Sequence, residues 1–345
     1  MTIVQPSQKK ISVIGSGAWG TTLAIIASDN SHKVKLWTHD KTLKQQMTVS
    51  RKNNLLPGIE LPNSITFHSE FSDDFLDSDI IIIVVASKFF RNTCKNIVSK
   101  IKQSTVVISA TKGLEQNTAK TPYDILCEEL PAYLHDNIGI LSGPNIALEI
   151  AQKKPATSVI ASKSIKTAEA AQQALSNKYF RVYTNEDIIG IELGGILKNI
   201  IAIAAGIADG LELGNNSKSS LMIRGIYEIT KLAKTLGAKS STMLGLAGMG
   251  DLITTCTSPL SRNYQVGFQL AHGKTIDEIV SSIGSIAEGI KTCEIIYGVS
   301  KQHKVELPII EQVYNVLFKN LSPMQAINNL MERKLKLEYE ETSYE

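Results

Sequence analysis

Lys198 has the surroundings of a catalytic residue, because it is a lone ammonium group in a predominantly apolar segment, residues 188–206. The segment is long enough for a helix, and small residues share one helical face with the lysine: Gly194, Ala202 and Ala205. The apolar flanks disfavour the charged amine, so such a lysine can give and take a proton near neutral pH. The alternative is a buried stem whose head group reaches solvent. The rest of the chain favours the catalytic interpretation.

A carboxylate follows a glycine-bearing turn later in the chain. Residues 246–250 precede Asp251, and Thr255 comes four residues after it. If a helix starts there, both side chains lie on one face. The alternative is that Asp251 only caps this helix.

Residues 261–263 are a candidate anion site. Ser261 is expected near the N-terminus of a helix over 264–271, with Arg262 and Asn263 in its first turn. Backbone amides, the positive end of the helix dipole and a guanidinium together bind an anion. A surface cap with a solvated arginine is the alternative.

The first half of the chain has the elements of a dinucleotide-binding fold. A short apolar strand over 11–14 runs into the pattern G-x-G-x-x-G, formed by Gly15, Gly17 and Gly20. A helix follows, and then a second strand over 34–37. In this setting Gly15 permits a tight turn, Gly17 lets backbone amides approach a pyrophosphate, and Gly20 lets helix pack on strand. The pattern therefore predicts dinucleotide binding at the start of the helix.

The turn after the second strand bears on the choice between NAD and NADP. An acidic residue there accepts hydrogen bonds from a ribose 2′-hydroxyl, whereas a basic residue accommodates a 2′-phosphate. Thr38, His39 and Lys41 are suited to a phosphate, while Asp40 would serve NAD or cap the next helix. The residues leave both cofactors open and favour NADPH over NADH.

Further aliphatic runs predict strands of a parallel sheet covered on both faces: 80–85, 105–109 and 138–141. Ligands bind at the carboxyl ends of such strands. There Lys112 is a candidate cation for a phosphate or carbonyl, or else a solvated loop residue. From about residue 188 the apolar spacing becomes helical. We therefore predict an α/β fold, with a Rossmann-like dinucleotide-binding domain over 1–189 and an all-helical substrate domain over 190–345.

Composition excludes several classes of protein. The chain has 345 residues, 43% hydrophobic and 20% charged, with a formal net charge of +3. The basic residues are not gathered into runs, so neither nucleic acid nor a membrane surface is expected as a partner. The four cysteines lie far apart without a CxxC pair, so no metal site or redox motif is indicated. With no signal-peptide pattern at the N-terminus, we expect a cytoplasmic protein.

Six motifs in order resemble those of the bacterial NAD(P)-dependent glycerol-3-phosphate dehydrogenases. They are G-x-G-x-W-G-T from Gly15, A-T-K-G-L-E from Ala110, L-S-G-P-N from Leu141, G-G-I-L-K-N from Gly194, G-M-G-D-L from Gly248, and S-R-N from Ser261. The resemblance covers nearly the whole chain. It implies interconversion of dihydroxyacetone phosphate and sn-glycerol 3-phosphate with NADPH or NADH, mainly as reduction, for the backbone of phospholipids. It also implies a homodimer.

The resemblance also assigns roles to particular residues. Lys198 becomes the catalytic proton donor and acceptor. The substrate positions are Lys112, Gly143, Asn145, Asp251, Ser261, Arg262 and Asn263. The cofactor positions are the three glycines of the turn together with Ala18, Trp19, His39, Lys112, Ala147, Arg262, Ile286 and Glu288.

Three positions depart from the family pattern. Ala86 stands where proline is frequent, Ile146 replaces the usual phenylalanine, and His39 lies where arginine is frequent. The first two alter turn packing more than chemistry, and the third leaves the NADP preference open.

Two other functions are compatible with the fold: another two-domain dehydrogenase acting on a keto acid or sugar phosphate, and a non-catalytic dinucleotide sensor. The G-G-x-x-K-N and S-R-N motifs argue against the first, and Lys198 with Asp251 argues against the second.

Overall fold

The chain divides into two compact units. The computed structural model describes residues 8–283, 287–335 and 337–338. The first unit, here the sheet unit, comprises the residues up to Lys112 together with Lys120–Ile188. The second, the helical unit, comprises Gly113–Ala119 and the residues from Ile189 onward. The segment Gly113–Ala119 thus leaves the sheet unit directly after Lys112 and returns to it at Lys120.

The sheet unit is built on one twisted sheet. Within the described residues its eight strands are ordered β3-β2-β1-β4-β5-β6-β7-β8, and neighbouring strands are parallel except for the antiparallel pair β6 and β7. The strands are β1 (Lys10–Ile14), β2 (Lys33–Trp37), β3 (Ile65–His68), β4 (Ile80–Ile83), β5 (Val106–Ser109), β6 (Ile138–Ser142), β7 (Ala156–Ala161) and β8 (Phe180–Asn185). The order reverses at β1, which lies between β2 and β4, as in doubly wound nucleotide-binding sheets.

Helices connect the strands of the sheet unit. They are α1 (Ala18–Asp29), α2 (Lys41–Ser50), α3 (Asp73–Leu76), α4 (Ser87–Ile97), α5 (Pro122–Glu129), α6 (Ala147–Ala151) and α7 (Ile165–Leu175). Every residue of β4 is buried, as its unbroken aliphatic sequence predicts for a central strand. The predicted α/β class and the Rossmann-like first half are therefore confirmed.

Three strands were not expected from the sequence. β3 has four residues and its buried positions alternate with less buried ones. β8 begins with the same alternation and carries Arg181 on an exposed position, because it forms the edge of the sheet. β7 pairs on both sides, antiparallel with β6 and parallel with β8. Polar residues interrupt all three strands, so their apolar signal is weaker than that of the four isoleucines of β4.

The helical unit is formed by the remaining helices. They are α8 (Ile188–Gly210), α9 (Gly214–Thr235), α10 (Ser240–Met243), α11 (Asp251–Thr257), α12 (Arg262–Ala271), α13 (Ile276–Ile283), α14 (Glu288–Gln302), α15 (Pro308–Phe318) and α16 (Pro323–Met331). A π-helical turn, Leu246–Gly250, leads into α11. Strand patterns were predicted to stop near residue 188, and within the described residues the last strand ends at Asn185.

Helix α8 is the central element of the helical unit. Within the described residues it alone is long and apolar enough to cross a bilayer, but 89% of its most apolar window is buried inside the structure. Ile200, Ile201 and Ile203 are all fully buried. A helix that is apolar on all sides belongs in the core of a protein when other helices surround it. Its composition therefore reflects burial within the protein.

Candidate active site

Lys198 lies on α8 with its amine held by two side chains of α11. Its Nζ donates hydrogen bonds to Asp251 Oδ1 at 2.7 Å and to Thr255 Oγ1 at 2.6 Å. The side chain of Lys198 is 9% exposed and that of Asp251 is 2% exposed. A buried charge costs free energy unless it is paired. The sequence suggested an isolated ammonium, but the structure gives it a carboxylate that favours its charged form.

The start of α11 brings Asp251 and Thr255 to the same side, as their spacing predicted. Asp251 is the first residue of the helix and Gly250 precedes it as the N-cap, so Asp251 is not the cap of its own helix. One turn later, Thr255 Oγ1 donates to the backbone oxygen of Asp251 at 2.6 Å. This bond fixes the rotamer of Thr255, so that its oxygen accepts from Lys198.

A close approach of backbones sets the distance between α8 and the turn before α11. A Cβ atom on Gly194 would lie 2.7 Å from the carbonyl oxygen of Ala247. Such a contact is shorter than side chains tolerate, so a larger residue at 194 would push the π-helical turn away from α8. Because Gly194 lies one turn before Lys198, this contact holds Asp251 within reach of the amine.

The thiol of α11 is not a second nucleophile. Cys256 follows Thr255 in α11 and is fully buried. Burial raises the pKa of this thiol to about 12, an effect that the charge of Lys198 opposes only in part. A thiol with such a pKa stays protonated and unreactive at neutral pH. The chemistry of this site therefore rests on the amine, the carboxylate and the hydroxyl.

Glycines also bring α8 and α12 into backbone contact. A Cβ on Gly206 would lie 2.0 Å from the carbonyl oxygen of Tyr264, and one on Gly267 would lie 1.8 Å from that of Ile203. Helices that cross at such small residues approach more closely than helices with larger side chains at the crossing. The crossing fixes the N-terminus of α12 relative to α8.

The predicted anion site lies at this N-terminus. Ser261 is the N-cap of α12, and its hydroxyl oxygen accepts from the backbone N–H of Tyr264 at 3.3 Å. Arg262 is the first residue of the helix and is exposed, whereas Asn263 is buried. An exposed guanidinium next to the positive end of a helix is suited to an anion.

Asn263 joins three helices through its side chain. Its Nδ2 donates to Asn199 Oδ1 at 2.9 Å, and its Oδ1 accepts from the backbone N–H of Gly289 at 3.0 Å. Asn199 follows Lys198 in α8, and Gly289 follows Glu288, which is the first residue of α14. The network therefore brings the predicted anion, lysine and cofactor positions of the helical unit together. Ile286 lies outside the described residues.

The glycine turn of the sheet unit fits a dinucleotide. Gly15 has φ +122°, and a Cβ on it would lie 2.3 Å from the carbonyl oxygen of Val84. A Cβ on Gly20 would lie 1.9 Å from the carbonyl oxygen of Gly15. By contrast, a Cβ on Gly17 would meet open space, and Gly17 caps α1 without a side-chain hydrogen bond. The turn thus leaves the first amides of α1 accessible to a phosphate.

Three other predicted cofactor positions belong to α1 and α6. Ala18 is the first residue of α1, and Trp19 follows it, with 6.3 Å between the centres of its ring and the Phe180 ring, in an edge-to-face arrangement. Thr22 Oγ1 donates to the carbonyl oxygen of Ala147, the first residue of α6, at 3.1 Å. This bond fastens the start of α6 beside α1.

The structure decides between the two roles considered for Asp40. Its carboxylate accepts from the backbone N–H groups of Thr42 at 2.8 Å and Leu43 at 3.0 Å, so it caps α2. Thr38 is 1% exposed, which makes it a poor donor to a ligand and removes it from the predicted phosphate readers. His39 and Lys41 are exposed. The turn therefore presents one imidazole and one ammonium to solvent.

The turns after β5 and β6 bring Lys112 and Gly143 together. Lys112 Nζ donates to the carbonyl oxygen of Gly143 at 3.0 Å. Asn145 lies two residues further on, where its Nδ2 donates to Thr157 O at 3.1 Å and its Oδ1 accepts from Ser158 Oγ at 3.1 Å. Both ends of the Asn145 amide are thus bound to β7.

A doubly wound sheet with a glycine turn at its switch point, and a separate helical unit with a buried lysine–carboxylate pair, define the class of NAD(P)-dependent dehydrogenases. Comparison with known proteins narrows the class. The family model for the N-terminus of NAD-dependent glycerol-3-phosphate dehydrogenase matches residues 10–168, and the model for its C-terminus matches residues 187–328. The chain belongs to this family.

Individual relatives agree with the family models. The glycerol-3-phosphate dehydrogenase (NAD(P)+) of Citrifermentans bemidjiense is 42% identical over 331 residues, which are 96% of this chain and 99% of that protein. The protein of the same name from Bacillus anthracis is 41% identical over 96% of this chain and 98% of its own. The crystal structure of glycerol-3-phosphate dehydrogenase from Coxiella burnetii is 33% identical, with a TM-score of 0.88 over 94% of this chain and 99% of that one.

Asn199 is a residue of this site that the sequence did not single out. Its signal was its place beside Lys198 in a largely apolar helix, where a buried amide needs a partner. That partner, Asn263, lies 64 residues later in the chain.

Proposed function

We propose that the protein is an NAD(P)-dependent glycerol-3-phosphate dehydrogenase that reduces dihydroxyacetone phosphate to sn-glycerol 3-phosphate for glycerophospholipid synthesis. Relatives that carry this name are 42% identical over almost the whole chain. The observation that carries the proposal is the buried Lys198 amine, 2.7 Å from the Asp251 carboxylate. A ketone reductase needs such a proton donor beside its substrate.

Lys198 supplies the proton of the reaction. When bound, the reduced nicotinamide supplies the hydride. Addition of hydride to the ketone carbon places negative charge on the oxygen, which the ammonium of Lys198 stabilises and then protonates. In the reverse direction the neutral amine takes the proton from the alcohol.

Asp251 and Thr255 prepare the amine for this step. The carboxylate of Asp251 keeps the buried amine charged before the reaction, and the Thr255 hydroxyl restricts its direction. After the proton has left, the neutral amine still donates hydrogen bonds to both oxygens. The amine therefore keeps its position through the reaction, which lowers the entropic cost of proton transfer.

The phosphate end of the substrate is assigned to the start of α12. Arg262 offers an exposed guanidinium fork there, and the dipole of α12 adds positive potential. Ser261 and Asn263 shape this helix end, and Asn263 retains one amide hydrogen beyond the one it gives to Asn199. Lys112, whose Nζ donates to the carbonyl oxygen of Gly143, is assigned to the substrate as a further cation, and Gly143 and Asn145 are assigned to the substrate with it.

The cofactor is assigned to the glycine turn, with Ala18, Trp19 and Ala147 beside it and Arg262, Ile286 and Glu288 from the second half of the chain. His39, with Lys41 next to it, is assigned to the 2′-phosphate, so NADPH is the preferred cofactor and NADH is also used. We further propose that the enzyme works as a homodimer in the cytoplasm, as the resemblance to the bacterial family implies.

Absorbance of the reduced nicotinamide tests the function directly. The purified protein should oxidise NADPH and NADH when dihydroxyacetone phosphate is added. Dihydroxyacetone, which lacks the phosphate, should have a far lower kcat/KM because the anion site is left empty. A keto acid such as 2-oxopantoate should give no turnover. Faster turnover of the keto acid than of dihydroxyacetone phosphate would show that the assigned substrate is wrong.

A further inference from the structure

Asn53 is buried beneath the glycine turn. It lies on the loop between α2 and β3, and it is 2% exposed. Its Nδ2 donates to the carbonyl oxygen of Ser16 at 2.9 Å and to Thr21 Oγ1 at 2.8 Å. Thr21 Oγ1 in turn donates to the same carbonyl oxygen at 3.2 Å. The Ser16 carbonyl thus has two donors, and both belong to buried side chains.

The loop that carries Asn53 is itself well anchored. Asn53 Oδ1 accepts from the backbone N–H of Leu55 at 3.0 Å, so both ends of the amide are occupied. The Arg51 guanidinium donates to the carbonyl oxygens of Leu61 at 3.3 Å and Ile65 at 3.1 Å, which ties the loop to the start of β3. The Asn53 side chain is therefore held in place, and its hydrogen bonds fix the position of the glycine turn.

The bonds to Ser16 determine the direction of the next amide. In a planar trans peptide the carbonyl and the N–H point in opposite directions. The Ser16 carbonyl points inward to Asn53 and Thr21, so the Gly17 N–H points outward. Ser16 is buried and Gly17 is exposed, in agreement with this orientation. Gly17 is also the position where an added Cβ would meet open space.

We propose that Asn53 is a positioning residue for cofactor binding: by holding the Ser16 carbonyl it aims the Gly17 amide at the pyrophosphate of the dinucleotide. The inference rests on the proposed function, because the pyrophosphate is that of the NAD(P) cofactor. Asn53 does not touch the cofactor. Its loss acts on the pyrophosphate alone, so it affects NADH and NADPH equally and leaves the chemistry at Lys198 unchanged.

The test compares Asn53→Asp with the matched control Asn54→Asp on the neighbouring exposed residue. The aspartate has the same shape but no donor, and it turns a carboxylate oxygen toward the Ser16 carbonyl. We expect the dissociation constants of NADH, NADPH and ADP-ribose to rise about tenfold, which corresponds to ~1.4 kcal/mol. The inhibition constant of adenosine, which has no phosphate, should change less than about twofold, as should kcat at saturating cofactor.

Two outcomes would overturn the inference while leaving the proposed function intact. One is a folded Asn53→Asp variant that binds ADP-ribose as the wild type does. The other is an equal loss of adenosine and ADP-ribose binding, which would indicate a general disturbance of the sheet unit. A wild-type protein that binds neither NADH nor NADPH would overturn both proposals.

Variants of Thr21 keep the inference testable if Asn53→Asp does not fold. Thr21→Val removes the hydroxyl that bridges Asn53 and the Ser16 carbonyl, whereas Thr21→Ser keeps it. We expect Thr21→Val to weaken ADP-ribose binding several-fold without a matching change for adenosine, and Thr21→Ser to restore wild-type binding. Equal ADP-ribose binding by the two variants would contradict the proposal.

Discussion

The glycine turn of the sheet unit and the lysine site of the helical unit are assembled in different ways. The turn consists of consecutive residues, 15–20, at the junction of β1 and α1. The lysine site joins Lys198 to partners that lie 53 and 57 residues later in the chain. A turn of this kind can be recognised from its sequence, because backbone conformation and close packing dictate its glycines. A site of the second kind depends on how helices pack.

Substitutions in the two regions should also change different kinetic constants. Changes in the glycine turn should act on the binding of the cofactor, and changes around Lys198 should act on the rate of turnover. Each of the following substitutions tests one side of this division.

Asp251→Asn should have the largest effect among the partners of Lys198. The amide keeps the shape of the carboxylate but removes its charge, which leaves a buried ammonium without a counter-charge. We expect kcat to fall about 100-fold, within the range that positioned acids and bases contribute. The dissociation constants of NADPH and NADH should change less than about twofold. An Asp251→Asn variant that kept its kcat but bound the cofactor more weakly would contradict the separation of turnover and cofactor binding between the two regions.

Two alanine substitutions in the glycine turn should differ from each other. Gly20→Ala puts a Cβ 1.9 Å from the Gly15 carbonyl, so it should lower the thermal unfolding temperature and weaken both cofactors. The added Cβ of Gly17→Ala meets open space in the protein, so the unfolding temperature should stay the same. Because the pyrophosphate is expected to approach the backbone at Gly17, the same Cβ should raise the KM of both cofactors about tenfold, a cost of ~1.4 kcal/mol. Calorimetry and steady-state kinetics measure the pair. Unchanged cofactor KM in Gly17→Ala would show that the pyrophosphate lies elsewhere.

The sequence predicted the parts of the fold whose signals are local. The aliphatic strand β4, the glycine turn and the shared face of Asp251 and Thr255 all follow from short-range spacing. The edge strand β8 was missed because Arg181, Thr184 and Asn185 interrupt its apolar pattern.

Long-range pairing explains what the sequence left undecided in the site. The role of Asp40 depended on whether its carboxylate was free, and the structure shows that it caps α2. The bonds of Asn263 to Asn199 and to Gly289 join three helices, and no spacing rule within one helix indicates them. The family resemblance placed Asp251 among the substrate positions, but the hydrogen bond between its carboxylate and the Lys198 amine was not predicted.

Arg262→Lys should act on the substrate more than on the rate. A lysine keeps the positive charge at the start of α12 but cannot form the bidentate hydrogen bonds that a guanidinium makes to a phosphate. We expect the KM of dihydroxyacetone phosphate to rise about tenfold with kcat within about threefold. Dihydroxyacetone is the control substrate, because it has no phosphate for Arg262 to bind. The same relative loss with both substrates would contradict the phosphate role of Arg262.

His39→Arg should have the smallest effect and should sharpen the choice of cofactor. The exposed turn after β2 offers His39 and Lys41, and Asp40 is held by α2. A guanidinium adds a bidentate contact to a 2′-phosphate. The ratio of kcat/KM for NADPH over NADH should therefore exceed one in the wild type and rise several-fold in the variant. A ratio below one in the wild type, or one that falls in the variant, would rule out this turn as the reader of the phosphate.

The most direct test of the account is the turnover of Lys198→Ala with and without an added amine. We predict that kcat falls by about 100-fold to 10,000-fold, because a positioned general acid is lost, while the dissociation constant of NADPH changes less than about twofold. Propylammonium should restore part of the rate in a saturable manner by occupying the space beside Asp251. Turnover within about tenfold of the wild type, or a loss of NADPH binding as large as the loss of rate, would contradict Lys198 as the proton donor.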